Sequence, residues 1–429
     1  MSLFRGPPLH RYASRRRSVW SGIPTQKPMS RPPRPTAPSG ATESAIPKRS
    51  YRLTDIGNAE RLVDQHGESI RFCRNEHCWY AWDGVRWAQD EGVIMQLAKK
   101  TVRSMLFERA RLLSSEPEYE DEHINRAVSL LTSWQTRSER ATNLSAMIRL
   151  AQSDPSVSVS SRVFDSNTFQ LNVHNGTIDL RTGFLNGHTP DDLITRLASA
   201  AFDAAALCPR WKRFLGEVFA PHPDAILFLQ RAIGYSLTGE TSEDCIFILD
   251  GAGRNGKSTL MGVLQALLGS YAGVAEIDAL LEGHRTGPQE DIADMRGRRV
   301  VTALEPRAGA RFATATMKWL SGGDRLRARR LYQHAEEFTP THKLWLSVNH
   351  FPWAEPGDAA FWRRIQVIPF DISFSGREDR TLRSGLLQEL PGILQWSVQG
   401  CLRWQHGGLN ASPSVSQATE HRRDGGGRH

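Results

Sequence analysis

The sequence predicts an α/β fold preceded by an α+β domain, and three observations carry that reading. An apolar run at 245–249 reads as a buried strand, passes through a glycine-rich loop at 251–256 and enters a helical stretch that continues to 268. Two further apolar runs, at 299–304 and 343–348, have the length and composition of strands. Upstream, residues 51–204 mix aromatic hairpin patterns with helical periodicity.

The loop comes first because it constrains the chemistry most. Gly251 to Ser258 spell G-x-x-x-x-G-K-S between a strand and a helix. Glycines in that order let backbone N–H groups turn inward around a polyphosphate, and the following helix adds the positive end of its dipole. Lys257 has the reach to meet the β- and γ-phosphates, and Ser258 offers a hydroxyl to Mg²⁺. The pattern implies a nucleoside-triphosphate site, with ATP and Mg²⁺ as the expected ligands.

Composition narrows the setting. The chain has 429 residues and a net charge of +8, but residues 1–50 hold ten Lys and Arg against Glu43 alone. That segment contributes +9, so the other 379 residues sum to −1. Rich in Pro, Arg and Ser, it is expected to be a disordered basic tail. No apolar run approaches the ~20 residues of a membrane span, and the N-terminus lacks a signal-peptide core. Five scattered cysteines suit a reducing cytoplasm. Cys73, His77 and Cys78 invite a zinc reading, but the remaining ligands at paired spacing are missing, so a cysteine pair at a strand edge is preferred.

Within the upstream region, 79–87 reads as two strands about an Asp83-Gly84 turn, with tryptophans expected in the core rather than stacked on bases. Residues 93–113 repeat at helical spacing, 123–152 suggest one or two more helices, and 171–183 suggest strands joined at Asn175-Gly176. A boundary near residue 205 divides an N-terminal domain (51–204) from the nucleotide-binding domain (205–375). Residues 376–429 are expected to hold one or two helices, over 379–405, and then a polar tail.

A phosphate loop needs a carboxylate on a neighbouring strand to hold Mg²⁺ and polarise water, and Glu305 ends the run at 299–304. Asn349 ends the run at 343–348, where its amide can reach the attacking water or the γ-phosphate. Arg363 and Arg364 are expensive to bury together; reaching a neighbouring subunit's γ-phosphate, or surface ion pairing, would account for them. Between these lies Lys318, then Arg325, Arg327, Arg329 and Arg330, four arginines in six residues. Alternation along a strand would align Arg325, Arg327 and Arg329 on one face, a surface suited to a phosphate backbone.

In this order the blocks resemble the helicase part of the phage/plasmid DNA primase family, a superfamily 3 helicase branch related to poxvirus-type primase-helicases. The likeness rests on G-x-G-x-N-G-K-S-T at 251–259, V-V-T-A-L-E at 300–305 and L-S-G-G-D-x-x-x-A-R-x-L-Y at 320–332. It continues with F-x-P-T-x-K-L-W-L-x-x-N at 338–349, W-R-R-I-x-V-I-P-F at 362–370 and, upstream, N-x-x-N-G-T-I-D-L-R-T-G at 172–183. The resemblance implies an AAA+-like ATPase that assembles as a homo-oligomeric ring, typically a hexamer, around single-stranded or forked DNA. It adds Gly253, Asn255, Gly256 and Thr259 to the nucleotide set and makes Glu305 the Walker B acid and Asn349 the sensor. It makes 318–332 the DNA-contacting hairpin, and Arg363 or Arg364 a finger acting in trans.

The expected setting is cytoplasmic, in a bacterial host carrying a phage, prophage or plasmid, with a separate primase as a partner. No primer synthesis is expected from this chain, its C-terminal segment reads as shortened, and Pro306 leaves one Walker B acid. A DNA-binding remnant without turnover, or an ATPase of DNA packaging, are the competing readings.

Overall fold

The computed structural model describes residues 50–114, 122–283, 290–328 and 336–425. The expected tail at 1–50 therefore lies outside them, Ser50 excepted. Helix α1 (Asp55–His66) begins where the Thr54 hydroxyl accepts the Gly57 N–H at 3.1 Å, satisfying one of the open donors of the first turn. Strands β1 (Ile70–Cys73), β2 (Cys78–Trp82) and β3 (Trp87–Gln89) follow as an antiparallel meander, its second turn at Asp83-Gly84 as the sequence predicts. Helices α2 (Glu91–Ser114), α3 (Glu122–Ser138) and α4 (Ala141–Ala151) come next, and β4 (Ser158–Val159) joins β1 in parallel. Leu62, Ile94, Val102 and Met147 share a core with Ile70, Phe72 and Trp79, so the tryptophan packs inside. Arg61 is buried in α1 but donates to both Glu108 oxygens of α2, at 2.8 and 2.9 Å, which meets its charge in place. Cys73 and Cys78 sit opposite each other across β1 and β2 as free thiols.

A second meander, β5 (Gln170–Val173), β6 (Gly176–Asp179) and β7 (Phe184–Asn186), follows. Its first turn lies one residue earlier than the expected Asn175-Gly176 centre: Val173 pairs with Gly176, leaving His174 and Asn175 in the turn. The Asn175 amide fixes that register by donating to the Phe202 carbonyl at 3.0 Å and accepting its N–H at 2.8 Å. Helices α5 (Pro209–Val218) and α6 (Asp224–Leu237) complete this region. Leu171, Val173 and Ile178 share one hydrophobic core with Trp211, Phe214 and Phe228, so the boundary predicted near residue 205 does not separate two cores.

The central sheet is built from β8 (Ile246–Asp250), β9 (Ala272–Val274), β10 (Val300–Leu304), β13 (Lys343–Val348) and β14 (Ile365–Pro369). All pair in parallel, in the order β14-β8-β13-β10-β9. Helix α7 (Lys257–Leu268) crosses from β8 toward β9, and α8 (Glu290–Asp294) precedes β10. Between β10 and β13 come α9 (Thr314–Ser321) and an antiparallel pair, β11 (Leu326–Ala328) with β12 (Glu336–Phe338). Short α10 (Ala359–Trp362) leads into β14. Both faces of the sheet are covered: Phe247 and Leu249 belong to the core with α5 to α7, whereas Ile246 and Ile248 belong to the one with α9 and α10. A strand buried on both faces reads as an unbroken apolar run, which is why 245–249 was legible.

Three helices close the chain: α11 (Leu382–Gln388), α12 (Leu390–Gly407) and α13 (Pro413–Gly425). The last corrects the sequence reading, which expected a polar tail after 405. Polar contacts rather than an apolar stripe hold α13 in place. Ser414 gives its N–H and hydroxyl to Asp224 at 3.0 and 2.7 Å, and Thr419 accepts the N–H of edge-strand residue Val367 at 3.0 Å. Val415 alone is deeply buried among its apolar side chains. No helix of the described residues is long and apolar enough to cross a membrane.

Candidate functional site

The parallel register brings the carboxyl ends of three strands level. Val348 and Pro369 both pair with Asp250, and Leu304 pairs with Ser347. Whatever follows β8, β10 and β13 therefore meets at one edge of the sheet. From β8 comes the loop. Gly256 adopts φ 94°, a left-handed conformation that favours glycine, and turns the chain into α7 with no side-chain cap on the helix N-terminus. The first-turn N–H groups of α7 thus lack a side-chain cap, the condition under which a helix N-terminus can receive an anion. Gly251 is needed for room, since a Cβ there would overlap the Asn255 amide and the Phe370 carbonyl.

Lys257 is buried and donates to the Gly251 carbonyl at 2.6 Å and to Asn255 Oδ1 at 3.0 Å. Two of its three N–H groups are thus used to hold the loop, and one is left for a phosphate. Asn255 is fixed in turn by its donation to the Phe370 carbonyl at 2.9 Å. Burial lowers the pKa of the Lys257 ammonium, while Asp250 and Glu305 oppose that shift. The Ser258 side chain is exposed and Thr259 is half-buried at the start of α7.

Glu305 follows β10 with φ 54°, an uncommon backbone conformation for a residue with a Cβ, and its N–H is held by the Ser347 carbonyl at 2.9 Å. Asn349 follows β13 and points its amide at Glu305 Oε1, a long contact of 3.4 Å. Its Oδ1 also lies near Gly253 of the loop. Lys257, Glu305 and Asn349 therefore share one edge, but the strand that carries the carboxylate is not the neighbour of the loop strand that the sequence reading expected. The strand order refines that picture: β13, carrying Asn349, is the immediate neighbour of β8, and β10, carrying Glu305, is one strand further out. An uncapped helix end, a buried ammonium and a solvent-facing carboxylate fit a polyphosphate with its divalent cation.

Sequence reasoning missed two charged groups here. Asp250, the last residue of β8, is only 7% exposed, and Arg422 of α13 donates to its Oδ2 through Nε at 2.6 Å. Burial raises the Asp250 pKa against the pull of Arg422 and then Lys257. Asp250 was absorbed into the apolar strand pattern, and Arg422 lay in the segment taken for a tail.

The other candidate residues lie elsewhere. Arg363 and Arg364 precede Ile365, which pairs with Ile246, so they sit at the amino end of β14, about 13 Å of strand away from the loop. Arg364 is engaged within the chain, donating to the Ala360 carbonyl at 2.8 Å and lying 3.7 Å from Asp244. Arg363 is exposed. Lys318 is held by Asp358 at 2.9 Å, an ion pair joining α9 to α10 that lowers the Asp358 pKa. Arg325 and Arg327 are exposed, while Leu326 and Ala328 turn inward; Glu337 stands opposite Arg327 on β12. Arg329 and Arg330 lie outside the described residues.

Comparison with known proteins covers both halves of this architecture. Residues 59–220 match the family model "D5 N terminal like", and 249–364 match a family of unknown function, DUF5906. "Putative helicase L207/L206" of Acanthamoeba polyphaga mimivirus is 30% identical over 225 residues, 51% of this chain and 23% of that protein. "Putative helicase 121R" of Invertebrate iridescent virus 3 is 25% identical over 229 residues, 51% of this chain and 24% of the other. The chain thus spans about a quarter of the length of these relatives. The solved C-terminal region of NrS-1 (residues 305–718) overlaps 54% of each chain at 13% identity and a TM-score of 0.41. The chain is thus similar to the D5 N terminal like family over residues 59–220 and, over about half its length, to viral proteins named as putative helicases.

Proposed function

We propose that this chain is the ATP-driven motor of a superfamily 3, AAA+-like DNA helicase serving phage, prophage or plasmid replication in a bacterial cytoplasm. The observation that carries the proposal is the meeting of Lys257, Glu305 and Asn349 around an uncapped helix end at one edge of a parallel sheet. ATP binds with its phosphates in the 251–256 loop, contacted by backbone N–H groups and by the remaining N–H of Lys257. Ser258 and Glu305 would hold Mg²⁺, which when bound neutralises charge on the phosphate oxygens. Glu305 orients the attacking water and accepts its proton as the water oxygen bonds to the terminal phosphorus and the bond to the leaving ADP oxygen breaks. Asn349, in contact with Glu305, senses whether the terminal phosphate is present.

Arg363 is the finger in this scheme, because Arg364 is already committed within its own chain. Its distance from the loop of the same subunit calls for a second copy, and so for a homo-oligomeric ring, a hexamer by resemblance. Arg325, just before β11, and Arg327 on it, with Arg329 and Arg330, contact the DNA backbone; Lys318 ties α9 to the start of α10 through Asp358. A separate primase would act beside this motor. Unwinding of a forked duplex tests the proposal: strand displacement is expected with ATP and Mg²⁺, and none with a non-hydrolysable analogue. Equal displacement with both ligands would refute a motor.

A further inference from the structure

Asp250 and Arg422 form a charged pair directly before the 251–256 loop. Asp250 stands immediately before the loop, buried, with Oδ2 satisfied by Arg422 and Oδ1 without a partner among the described residues. Arg422 reaches it from α13, with its guanidinium over the Phe351 ring at 5.5 Å. Asp371 adds a second negative charge near this strand end, itself held by His222 at 2.6 Å. A polyphosphate entering the loop would bring further negative charge beside a buried carboxylate. Lys257 is the other cation acting on Asp250, yet it donates to Gly251 and Asn255, and so stays aimed into the loop.

We infer that Arg422 is a positioning residue: by neutralising Asp250 it leaves Lys257 free for the phosphates, and docking of α13 thereby becomes a condition for nucleotide binding. The inference rests on reading 251–256 as the phosphate site. In the absence of Arg422, Asp250 would both repel the ligand and draw the Lys257 ammonium out of place.

Calorimetric titration with a magnesium-bound, non-hydrolysable ATP analogue tests this across four proteins. Arg422→Ala is expected to weaken binding about tenfold or more. Adding Asp250→Asn should restore affinity to within about threefold of wild type, because the charge needing compensation is gone. Asp250→Asn alone, with α13 still docked by its serine and threonine contacts, should bind at least as tightly as wild type. Wild-type affinity in Arg422→Ala overturns the inference. So does a double variant as weak as Arg422→Ala, which would mean that Arg422 acts only by holding α13 down. A tenfold loss in Asp250→Asn alone would likewise overturn it, a result that can be read even if Arg422→Ala does not fold. A wild-type chain that binds no analogue instead removes the nucleotide-site reading on which the inference stands.

Discussion

Acid should destabilise this fold through one buried histidine. His342 lies at the entry to β13, the strand whose far end presents Asn349. It is 2% exposed, and neither ring nitrogen completes a hydrogen bond; the Leu320 backbone lies near without making one. Burial first, and the adjacent Lys343 second, push its pKa down to about 3. The unfolded chain takes up this proton near the usual value of about 6.5, whereas the folded chain does not until about 3. Protonation therefore favours unfolding as pH falls below 6.5, and the stability present at pH 8 is lost progressively through that window. Each pH unit is worth ~1.4 kcal/mol, so at pH 5 the loss from this residue is about 2 kcal/mol. Urea unfolding followed by tryptophan fluorescence at pH 8 and pH 5 measures it, beside His342→Leu, which removes the titration. Wild type should lose about 2 kcal/mol more than the variant between the two conditions. Equal losses would refute the reasoning.

Three further outcomes follow from the site. Gly251→Ala should push Asn255 and the Phe370 backbone apart, costing about 1–3 kcal/mol in thermal unfolding and abolishing analogue binding by misplacing Lys257; normal binding would remove the close-packing argument. Arg363→Ala and Lys257→Ala should each abolish hydrolysis alone, yet mixed subunits should regain part of it at interfaces that pair an intact loop with an intact finger; no recovery on mixing speaks against a trans role. Replacing Arg325 and Arg327 with glutamine should weaken single-stranded DNA binding and flatten its dependence on salt by about 0.7 log units per arginine. An unchanged salt slope would take β11 out of the DNA contact.

Much of this architecture could be read in advance because the central strands are buried on both faces, so that 245–249 and 343–348 stand out as apolar runs. Glycine and lysine spacing located the loop for a related reason: close approach at Gly251 and the turn at Gly256 tolerate few other residues. What escaped depends on partners distant in sequence. Helix α13 is held by Asp224, Val367 and Asp250, contacts spanning up to 190 positions, and carries too few apolar residues to declare itself. The pairing Val173–Gly176 turns on the distant Phe202 backbone, which no local turn rule contains. Lys318 looked like one cation among several until its partner, Asp358, came within 2.9 Å of it. Strand order, too, is invisible along the chain, and it set Asn349 rather than Glu305 beside the loop strand.

Steady-state ATP hydrolysis with and without single-stranded DNA, alongside Lys257→Ala, tests the central claim most directly. The account predicts turnover that DNA stimulates and that the lysine variant abolishes, because Lys257 both shapes the loop and meets the phosphates. Turnover that survives loss of Lys257, or that ignores DNA while the chain still binds it, would contradict a DNA motor built on this loop.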